Sequence, residues 1–319
     1  MLNNDKQEIL SQNSLKYVCS RLNFPAPELH SFPKYFLIEN INQCNARCVM
    51  CGIDFDNKKT ARLSAKLFAK IVEEISHHRD HVEKVMVYLD GEPLLEKSLP
   101  LRIKLLKEKG IKLVNIATNA SLLNKKNSEK LIKAGLDEVY ITMDSLKKDV
   151  YEKIRVGLEF ETVKKNIFNF IKIRNKLNPR LTIRIQMVQQ KLNWDEGESF
   201  KQFWQSHLNV KTDQIVVQKA HNWGSLIDVS GYNDKDEVNK IPCIALWGTF
   251  VVHVDGVVPL CCMDTNSLHS IGNLNNQSIK EVWQGKKLAS YRHNHLNLNR
   301  NKIDICDGCT LWREEKHTE

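Results

Sequence analysis

The stretch YFLIENINQCNARCVMC, residues 35–51, places three cysteines directly after an apolar segment that has the pattern of a β-strand. Cys44, Cys48 and Cys51 are spaced CxxxCxxC, and the loop holds no fourth cysteine. A closed zinc site takes four protein ligands, usually in paired CxxC motifs, so this spacing fits zinc poorly. Three thiolates on a four-iron cluster leave one iron open to another ligand. We call these residues the N-terminal triad and predict that they hold an iron–sulfur cluster.

The composition is that of a soluble globular protein. The 319 residues are 42% hydrophobic and 27% charged, which suffices for one large domain and an appendage. No stretch approaches the length of an apolar membrane helix, and the polar N-terminus does not resemble a signal peptide. Nine cysteines in such a chain therefore indicate metal sites in a reducing cytoplasm, and not disulfides. For the triad, we favour a metal site over three structural thiols.

The net charge of +9 comes from dispersed lysines. Aromatic residues are not interleaved with them as they are in nucleic-acid-binding surfaces. We therefore expect a solvated basic face, no nucleic-acid partner and no membrane partner.

Strand and helix patterns alternate through the first two thirds of the chain. Apolar residues at helical spacing predict a helix over 64–78 with Ser64 as its N-cap, and a second helix from about Leu94 that ends at Gly110. Six β/α units in succession predict an α/β fold, an open, partial (β/α)6 TIM-like barrel whose active site lies at the C-terminal ends of the strands. The remaining predicted strands are 85–89, 113–117, 138–143, 181–188 and 214–218, and the remaining predicted helices are 125–134, 162–176 and 195–208.

The triad and the barrel together resemble the radical S-adenosylmethionine (SAM) superfamily, whose signature is CxxxCxxC after the first strand. The resemblance implies a 4Fe-4S cluster whose open iron chelates SAM. It also implies reductive cleavage of SAM to a 5′-deoxyadenosyl radical, which takes a hydrogen atom from the substrate, and an electron donor such as flavodoxin or ferredoxin. Met50 stands where the family usually has an aromatic residue, and it keeps that position apolar.

Two strand-exit loops match this family further. The loop Asp90-Gly91-Glu92-Pro93 resembles its GGEP motif, with Asp90 in place of the first glycine. By that match the loop binds the SAM ammonium group, and Gly91 lets the backbone come close to the ligand. The pair Thr118-Asn119 matches polar residues that face SAM in the family.

The segment from Thr142 to Arg155 resembles the family pattern S-x-D-S … Y-x-x-I-R. The match implies that Thr142 or Asp144 contacts the ribose and that Arg155 pairs with the SAM carboxylate, to which a guanidinium fork is suited. A surface ion pair with Glu152 is the alternative for Arg155. On the fifth strand, Gln186 or the neighbouring Val188 is the expected contact to the ribose or adenine.

Five more cysteines lie beyond residue 242. Four of them, which we call the C-terminal quartet, are Cys243, Cys261, Cys306 and Cys309. Their order resembles the auxiliary-cluster region named SPASM in its shortened "twitch" form. The resemblance implies a second, fully ligated 4Fe-4S cluster. The pattern also predicts a hairpin with its turn at Asp255-Gly256, between strands 249–254 and 257–260, and a helix over 279–294. A zinc ribbon from the same thiols is the alternative.

Cys262 and His221 are the candidate catalytic residues. Cys262 is not needed by the quartet, so it is either a packed bystander or a thiol that gives a hydrogen atom to a substrate radical. His221 follows the sixth strand with Trp223, and we expect it to line the substrate site; a partly buried loop pair is the alternative. No residue is assigned as the general base.

These patterns predict four segments: an N-terminal extension (1–33), a radical SAM barrel (34–220), a linker or lid loop (221–242) and a twitch domain (243–319). Resemblance to aminocyclitol dehydrogenases and sugar epimerases predicts an oxidoreductase for a sugar or aminocyclitol, with oxidation favoured. An epimerase with Cys262 as hydrogen donor is one alternative. A peptide- or protein-modifying maturase is another, although about 33 residues before the first strand are too few for a peptide-binding domain. The last is a non-enzymatic iron–sulfur or zinc scaffold.

Overall fold

The computed structural model describes residues 4–224, 226–229 and 241–311. The chain divides into two compact units. The barrel unit comprises Leu37–Ala220 with His253–Asp255, and the terminal unit comprises Met1–Phe36, His221–Val252 and Gly256–Glu319. The expected linker over 221–242 lies partly outside the described residues.

Short strands alternate with helices along the chain. The strands are β1 (Tyr35–Ile38), β2 (Arg47–Cys48), β3 (Lys84–Met86), β4 (Val114–Thr118), β5 (Glu138–Thr142), β6 (Arg155–Val156), β7 (Thr182–Gln189), β8 (Gln214–Lys219), β9 (Thr249–Val252), β10 (Val257–Val258) and β11 (Gly272–Asn273). Neighbouring pairs from β3 through β4, β5 and β7 to β8 are parallel. The main sheet has seven strands in the order β8-β7-β5-β4-β3-β1-β9. This confirms the predicted α/β fold with a partial TIM-like barrel.

The helices of the barrel unit connect consecutive strands. Along the chain the helices are α1 (Asn4–Leu22), α2 (Ala26–Leu29), α3 (Ala65–Ser76), α4 (Leu99–Glu108), α5 (Lys125–Lys133), α6 (Lys148–Ile154), α7 (Phe160–Leu177), α8 (Gly197–Gln205), α9 (Ala245–Gly248), α10 (Ile279–Trp283) and α11 (Lys286–Leu296). Ser64 caps α3 as predicted, because its hydroxyl accepts a hydrogen bond from the Leu67 amide. In the described part of the chain, no helix is both long and apolar enough to cross a membrane.

The second predicted helix begins later than expected. Pro93–Leu95 forms a separate 3-10 helix, and α4 starts only at Leu99, with Pro100 in its first turn. Proline is tolerated there because it lacks the amide that a helix interior requires. The early start near Leu94 was therefore wrong, whereas the end at Gly110, which has a φ of 81°, is as predicted.

Two predictions for the terminal unit were also wrong. Gly256 makes the expected turn with a φ of 85°, but β9 belongs to the main sheet and β10 pairs antiparallel with β11. The predicted helix over 279–294 consists of two helices, because the chain is extended at Gly285 between α10 and α11.

Candidate functional site

The thiols of the N-terminal triad lie in one loop and act on one another electrostatically. Burial raises the pKa of Cys51 to about 11, and the Cys48 and Cys44 thiols add to the rise. Burial also raises the pKa of Cys44. Such thiols stay protonated at neutral pH until a metal supplies positive charge, so the loop is suited to bind metal rather than to act as a nucleophile.

The described residues contain no group of three or more Cys, His, Asp or Glu side chains that converges closely enough to hold one metal ion. A four-iron cluster is much larger than an ion, and its thiolate ligands surround it instead of meeting at a point. The triad therefore matches the donor set of such a cluster by ligand type and number.

Backbone pairing holds the triad loop in place. β2 pairs antiparallel with β6, so that Cys48 lies opposite Arg155, and the Val49 amide donates to the Ile154 carbonyl over 3.0 Å. Gly157 (φ 93°) follows β6, and a side chain there would come within 3.3 Å of the Asn45 carbonyl oxygen. Sequence patterns did not reveal this pairing, because two-residue strands leave no periodicity to detect.

Side chains from the next strand ends bind the same loop. The Asn119 side chain donates to the Asn45 side chain over 3.0 Å. The buried Glu92 carboxylate accepts from the Thr118 hydroxyl (2.7 Å) and from the Asn119 amide (2.9 Å). It also accepts from the Leu94 amide, and burial raises its pKa. The structure thus brings Glu92, Thr118 and Asn119 together, with Glu92 bonded to both of the other residues.

Gly91 is required by a close approach between two backbone segments. A Cβ atom at this position would lie 2.3 Å from the Ile41 carbonyl oxygen and 2.6 Å from that of Gln43. The next amide, from Glu92, donates to the Gln43 carbonyl over 2.9 Å. In the structure the glycine makes room for the chain that leads into Cys44; its close approach to a ligand stays a prediction. Pro93, the last residue of the motif, begins the 3-10 helix.

Asp90 belongs to a buried group of charges that the sequence analysis missed. Its carboxylate bonds to Lys58 Nζ, and burial raises its pKa. Glu39 is fully buried; its Oε2 accepts from the Val254 amide over 2.9 Å, and its Oε1 lies 3.9 Å from Lys58 Nζ. Burial and the Asp90 charge raise the pKa of Glu39 to about 7. The available signal was a glutamate at the end of an otherwise apolar strand.

Arg155 is buried, so the predicted alternative of a surface ion pair with Glu152 is wrong. Its Nε donates to Asp144, and its Nη1 lies 3.4 Å from the Cys48 sulfur, while Glu152 accepts from the Phe160 amide. Asp144 also accepts from the Val188 amide over 2.7 Å. The ion pair therefore joins the triad loop to the ends of β5 and β7.

Tyr151 provides an observation that fits a bound cofactor. Its hydroxyl is buried and has no hydrogen-bond partner among the described residues. Burial raises its pKa, and Arg155, Asp144 and Cys48 act on it electrostatically. Buried hydroxyls are nearly always hydrogen-bonded. A polar group bound beside Cys48 would complete its bonding.

Thr142 is the last residue of β5 and lies opposite Gln186, which is three residues before the end of β7. The Thr142 hydroxyl donates to the Thr118 carbonyl over 3.4 Å, and the Gln186 carbonyl accepts from the Met143 amide. Their contact with the ribose or adenine stays a prediction.

The C-terminal quartet is a second group of neighbouring thiols, in the terminal unit. Cys243 and Cys309 interact, Cys306 interacts with both, and Cys261 interacts with Cys243 and Cys306. Burial raises the pKa of Cys243 to about 11 and that of Cys306 to about 12. None of the nine cysteines forms a disulfide. These residues are brought together from three separate segments of sequence.

Two buried basic side chains hold the quartet's backbone. Arg300 donates from Nε to the Cys306 carbonyl (3.1 Å) and from Nη2 to the Cys309 carbonyl (3.3 Å). His295 Nδ1 accepts from the Cys243 amide over 3.0 Å. Burial, with a contribution from Arg300, lowers the pKa of His295 to about 3, which keeps the ring neutral and Nδ1 able to accept. Neither residue carries a sequence signal that distinguishes it from a surface base.

The two candidate catalytic residues both lie in the terminal unit. Cys262 is half-buried beside Cys261, whose pKa is raised first by burial and then by Cys262. His221 Nδ1 accepts from the Trp223 amide over 3.2 Å, and the two rings are 4.9 Å apart. Burial lowers the pKa of His221 to about 4, so the ring is neutral near pH 7.

Comparison with known proteins places these features in a family. The chain is 38% identical over 132 residues to a probable GTP 3′,8-cyclase of Methanococcus maripaludis, covering 41% of this chain and 43% of the relative, so it matches less than half of that protein's length. BtrN crystallised with AdoMet and 2-DOIA is 20% identical, with a TM-score of 0.61 over 87% of this chain and 92% of the other. Streptococcus suis SuiB bound to the precursor peptide SuiA is 16% identical, with a TM-score of 0.66 over 91% and 72%. At these identities the two structures share the fold.

Two family models match the chain directly. The model described as an iron–sulfur cluster-binding domain, SPASM, matches residues 243–310. The model of the radical SAM superfamily matches residues 38–200, just over half of the 319 residues. The chain therefore belongs to the radical SAM superfamily, with SAM and two iron–sulfur clusters as its cofactors.

Proposed function

We propose that this radical SAM enzyme oxidises a small polar substrate, such as a sugar or an aminocyclitol, at a carbon that bears a hydroxyl group. The observation that carries the proposal is the C-terminal quartet, in which four thiols lie together. Four thiolates ligate every iron of a 4Fe-4S cluster and leave none open to substrate. Such a cluster is suited to accept an electron, and a two-electron oxidation that begins with removal of a hydrogen atom requires an acceptor.

The proposed reaction balances as follows. A cluster held by Cys44, Cys48 and Cys51, with SAM bound, would supply on one-electron reduction a 5′-deoxyadenosyl radical able to remove the hydrogen atom from the substrate carbon. The substrate would then lose the hydroxyl proton to solvent and one electron to a cluster held by the C-terminal quartet, which would leave a carbonyl group. An external redox protein, such as flavodoxin or ferredoxin, provides the first electron.

We propose distinct tasks for the residues around the N-terminal triad. The triad ligates the SAM-binding cluster, and Arg155, fixed by Asp144, directs its remaining N–H groups beside Cys48 to the SAM carboxylate. Glu92 orients Thr118 and Asn119 toward the same cofactor. Thr142 and Gln186 stand where the ribose is expected. The Tyr151 hydroxyl supports this proposal, because a polar cofactor would satisfy it.

A second candidate function is cyclisation of GTP. It is favoured by the 38% identity to the Methanococcus protein, which extends over 41% of this chain. Peptide modification is the third, because SuiB bound to its precursor peptide has the same fold. Epimerisation with Cys262 as hydrogen donor is the fourth.

One experiment separates these candidates. Anaerobically reconstituted protein is reduced with dithionite and given SAM with an aminocyclitol, a sugar, GTP or a peptide, and 5′-deoxyadenosine and the product are measured by mass spectrometry. Oxidation predicts 5′-deoxyadenosine in proportion to a product that has lost two hydrogens. Turnover with GTP alone would contradict the proposal. So would a product that keeps the mass of the substrate in H₂O and gains one deuterium when the reaction is run in D₂O. Protein with the triad changed to alanine is the control.

A further inference from the structure

Arg300 is a buried cation placed directly behind the C-terminal quartet. Its side chain is almost fully buried, and it donates to the backbone carbonyls of both cysteines of the final CxxC pair, Cys306 and Cys309. Arg300 Nη1 also donates to the carbonyl of Ile241, two residues before Cys243, over 3.4 Å. One guanidinium thus contacts the backbone at or near three of the four quartet cysteines.

The charge of this guanidinium is permanent, and the side chain that carries it is buried. Arginine does not lose its proton in proteins, and the attraction between charges is stronger in a buried site than in water. A cluster that accepts an electron gains one negative charge. A fixed cation beside it stabilises the reduced form more than the oxidised form, and this raises the reduction potential.

One opposing charge near the quartet is partly compensated. Asp264 is buried and acts on Cys306. Its carboxylate accepts from the backbone amides of Leu268 (2.8 Å) and His269 (3.0 Å). These amide dipoles point their positive ends at the carboxylate and reduce its effect on the thiols.

We propose that Arg300 is a positioning residue that raises the reduction potential of the C-terminal cluster and so makes that cluster the electron acceptor of the reaction. This inference rests on the proposed function in one respect, namely that the quartet holds a 4Fe-4S cluster. The residue acts through the ligands and contacts no substrate.

The test uses full-length protein with the N-terminal triad changed to alanine, so that the C-terminal cluster is the only one present. Arg300→Gln removes the charge and keeps an amide donor for a carbonyl, whereas Arg300→Lys keeps the charge. Arg292 provides the matched control, because it is also buried in the terminal unit but donates to the Leu246 and Trp283 carbonyls. The midpoint potential of each protein is measured by redox titration followed by electron paramagnetic resonance.

Arg300→Gln should lower the midpoint potential of the cluster by at least about 59 mV, which corresponds to a tenfold change in the equilibrium constant of a one-electron reduction. Arg300→Lys and Arg292→Gln should stay near the parent protein. A potential in Arg300→Gln equal to that in Arg292→Gln would overturn the inference. So would an equal fall in Arg300→Lys, which would assign the effect to the carbonyl bonds alone.

Other outcomes test the proposed function separately. If the parent protein with the triad removed binds zinc, or no four-iron cluster, the auxiliary cluster itself is refuted. If Arg300→Gln fails to fold, the neutral Arg300→Met compared with Arg292→Met decides: a lower potential in Arg300→Met alone supports the role of the charge, and equal potentials in the two variants refute it.

Discussion

Replacing Gly91 with alanine should disrupt the loop that leads into the N-terminal triad. The new Cβ would lie 2.3 Å from the Ile41 carbonyl oxygen, whereas ordinary contact begins at 3.4 Å. The difference, 3.4 minus 2.3, means that one backbone segment must retreat by about 1 Å. Neither contacting atom can rotate away, because both the Ile41 and the Gln43 oxygens belong to the backbone.

The expected cost follows from two contributions. Overpacking in a well-packed region costs about 1–3 kcal/mol. Weakening the bond from the Glu92 amide to the Gln43 carbonyl adds about 0.5–1.5 kcal/mol. We therefore expect Gly91→Ala to lower the free energy of unfolding by about 1.5–4.5 kcal/mol. We also expect it to impair iron loading, since Cys44 follows Gln43 directly.

Urea unfolding of the apo protein and iron analysis after reconstitution measure the two effects. Gly197→Ala is the matched control. It begins α8, and its nearest neighbours would be side-chain atoms of Gln189 and Val217 at 3.2 and 3.4 Å, which can adjust. We expect the control to change stability by no more than about 0.5 kcal/mol. Equal unfolding midpoints and equal iron contents in the two variants would refute the reasoning.

Three further predictions concern the two clusters and the buried charges. Changing the N-terminal triad to alanine should remove about four irons per chain and all SAM cleavage; 5′-deoxyadenosine formed by the reduced variant would contradict this. Cys262→Ala should retain oxidation, and the wild-type product formed in D₂O should lack deuterium at the reacting carbon; loss of product with continued SAM cleavage would instead indicate an epimerase. The pKa of Glu39 is raised from 4.5 to about 7 in the folded protein. Between these values the folded state holds a proton that the unfolded chain has released, so the free energy of unfolding falls as the pH rises through this range to about 7. Glu39→Gln should flatten this fall between about pH 5 and pH 8, whereas equal pH slopes in urea titrations of variant and wild type would show that Glu39 is not its source.

The elements that the sequence predicted well are those with local signals. Ser64 and Gly110 are examples, because a cap or a left-handed turn depends on the few residues around it. The order of the barrel strands also followed from local patterns, since each β/α unit repeats the same alternation. The CxxxCxxC spacing identified the triad in the same way.

The features that were missed depend on contacts between distant parts of the chain. The pairing of β2 with β6, and of β10 with β11, involves two residues on each side and leaves no pattern in either segment. The alternative partner of Arg155, Glu152, was suggested by helical spacing, whereas folding brings Asp144 and Cys48 to the guanidinium. Glu39 and Arg300 look like ordinary charges until their burial is known.

The β2–β6 pairing has a consequence for how the enzyme is assembled. The backbone bonds that hold Cys48 and Val49 join groups of the chain itself. We therefore expect the loop to acquire its shape as β2 pairs with β6, so that a cluster would be delivered to an already structured recipient. Apo protein should accordingly protect the Val49 amide from hydrogen exchange, and a scaffold protein that donates a cluster should meet a preformed surface instead of a disordered segment.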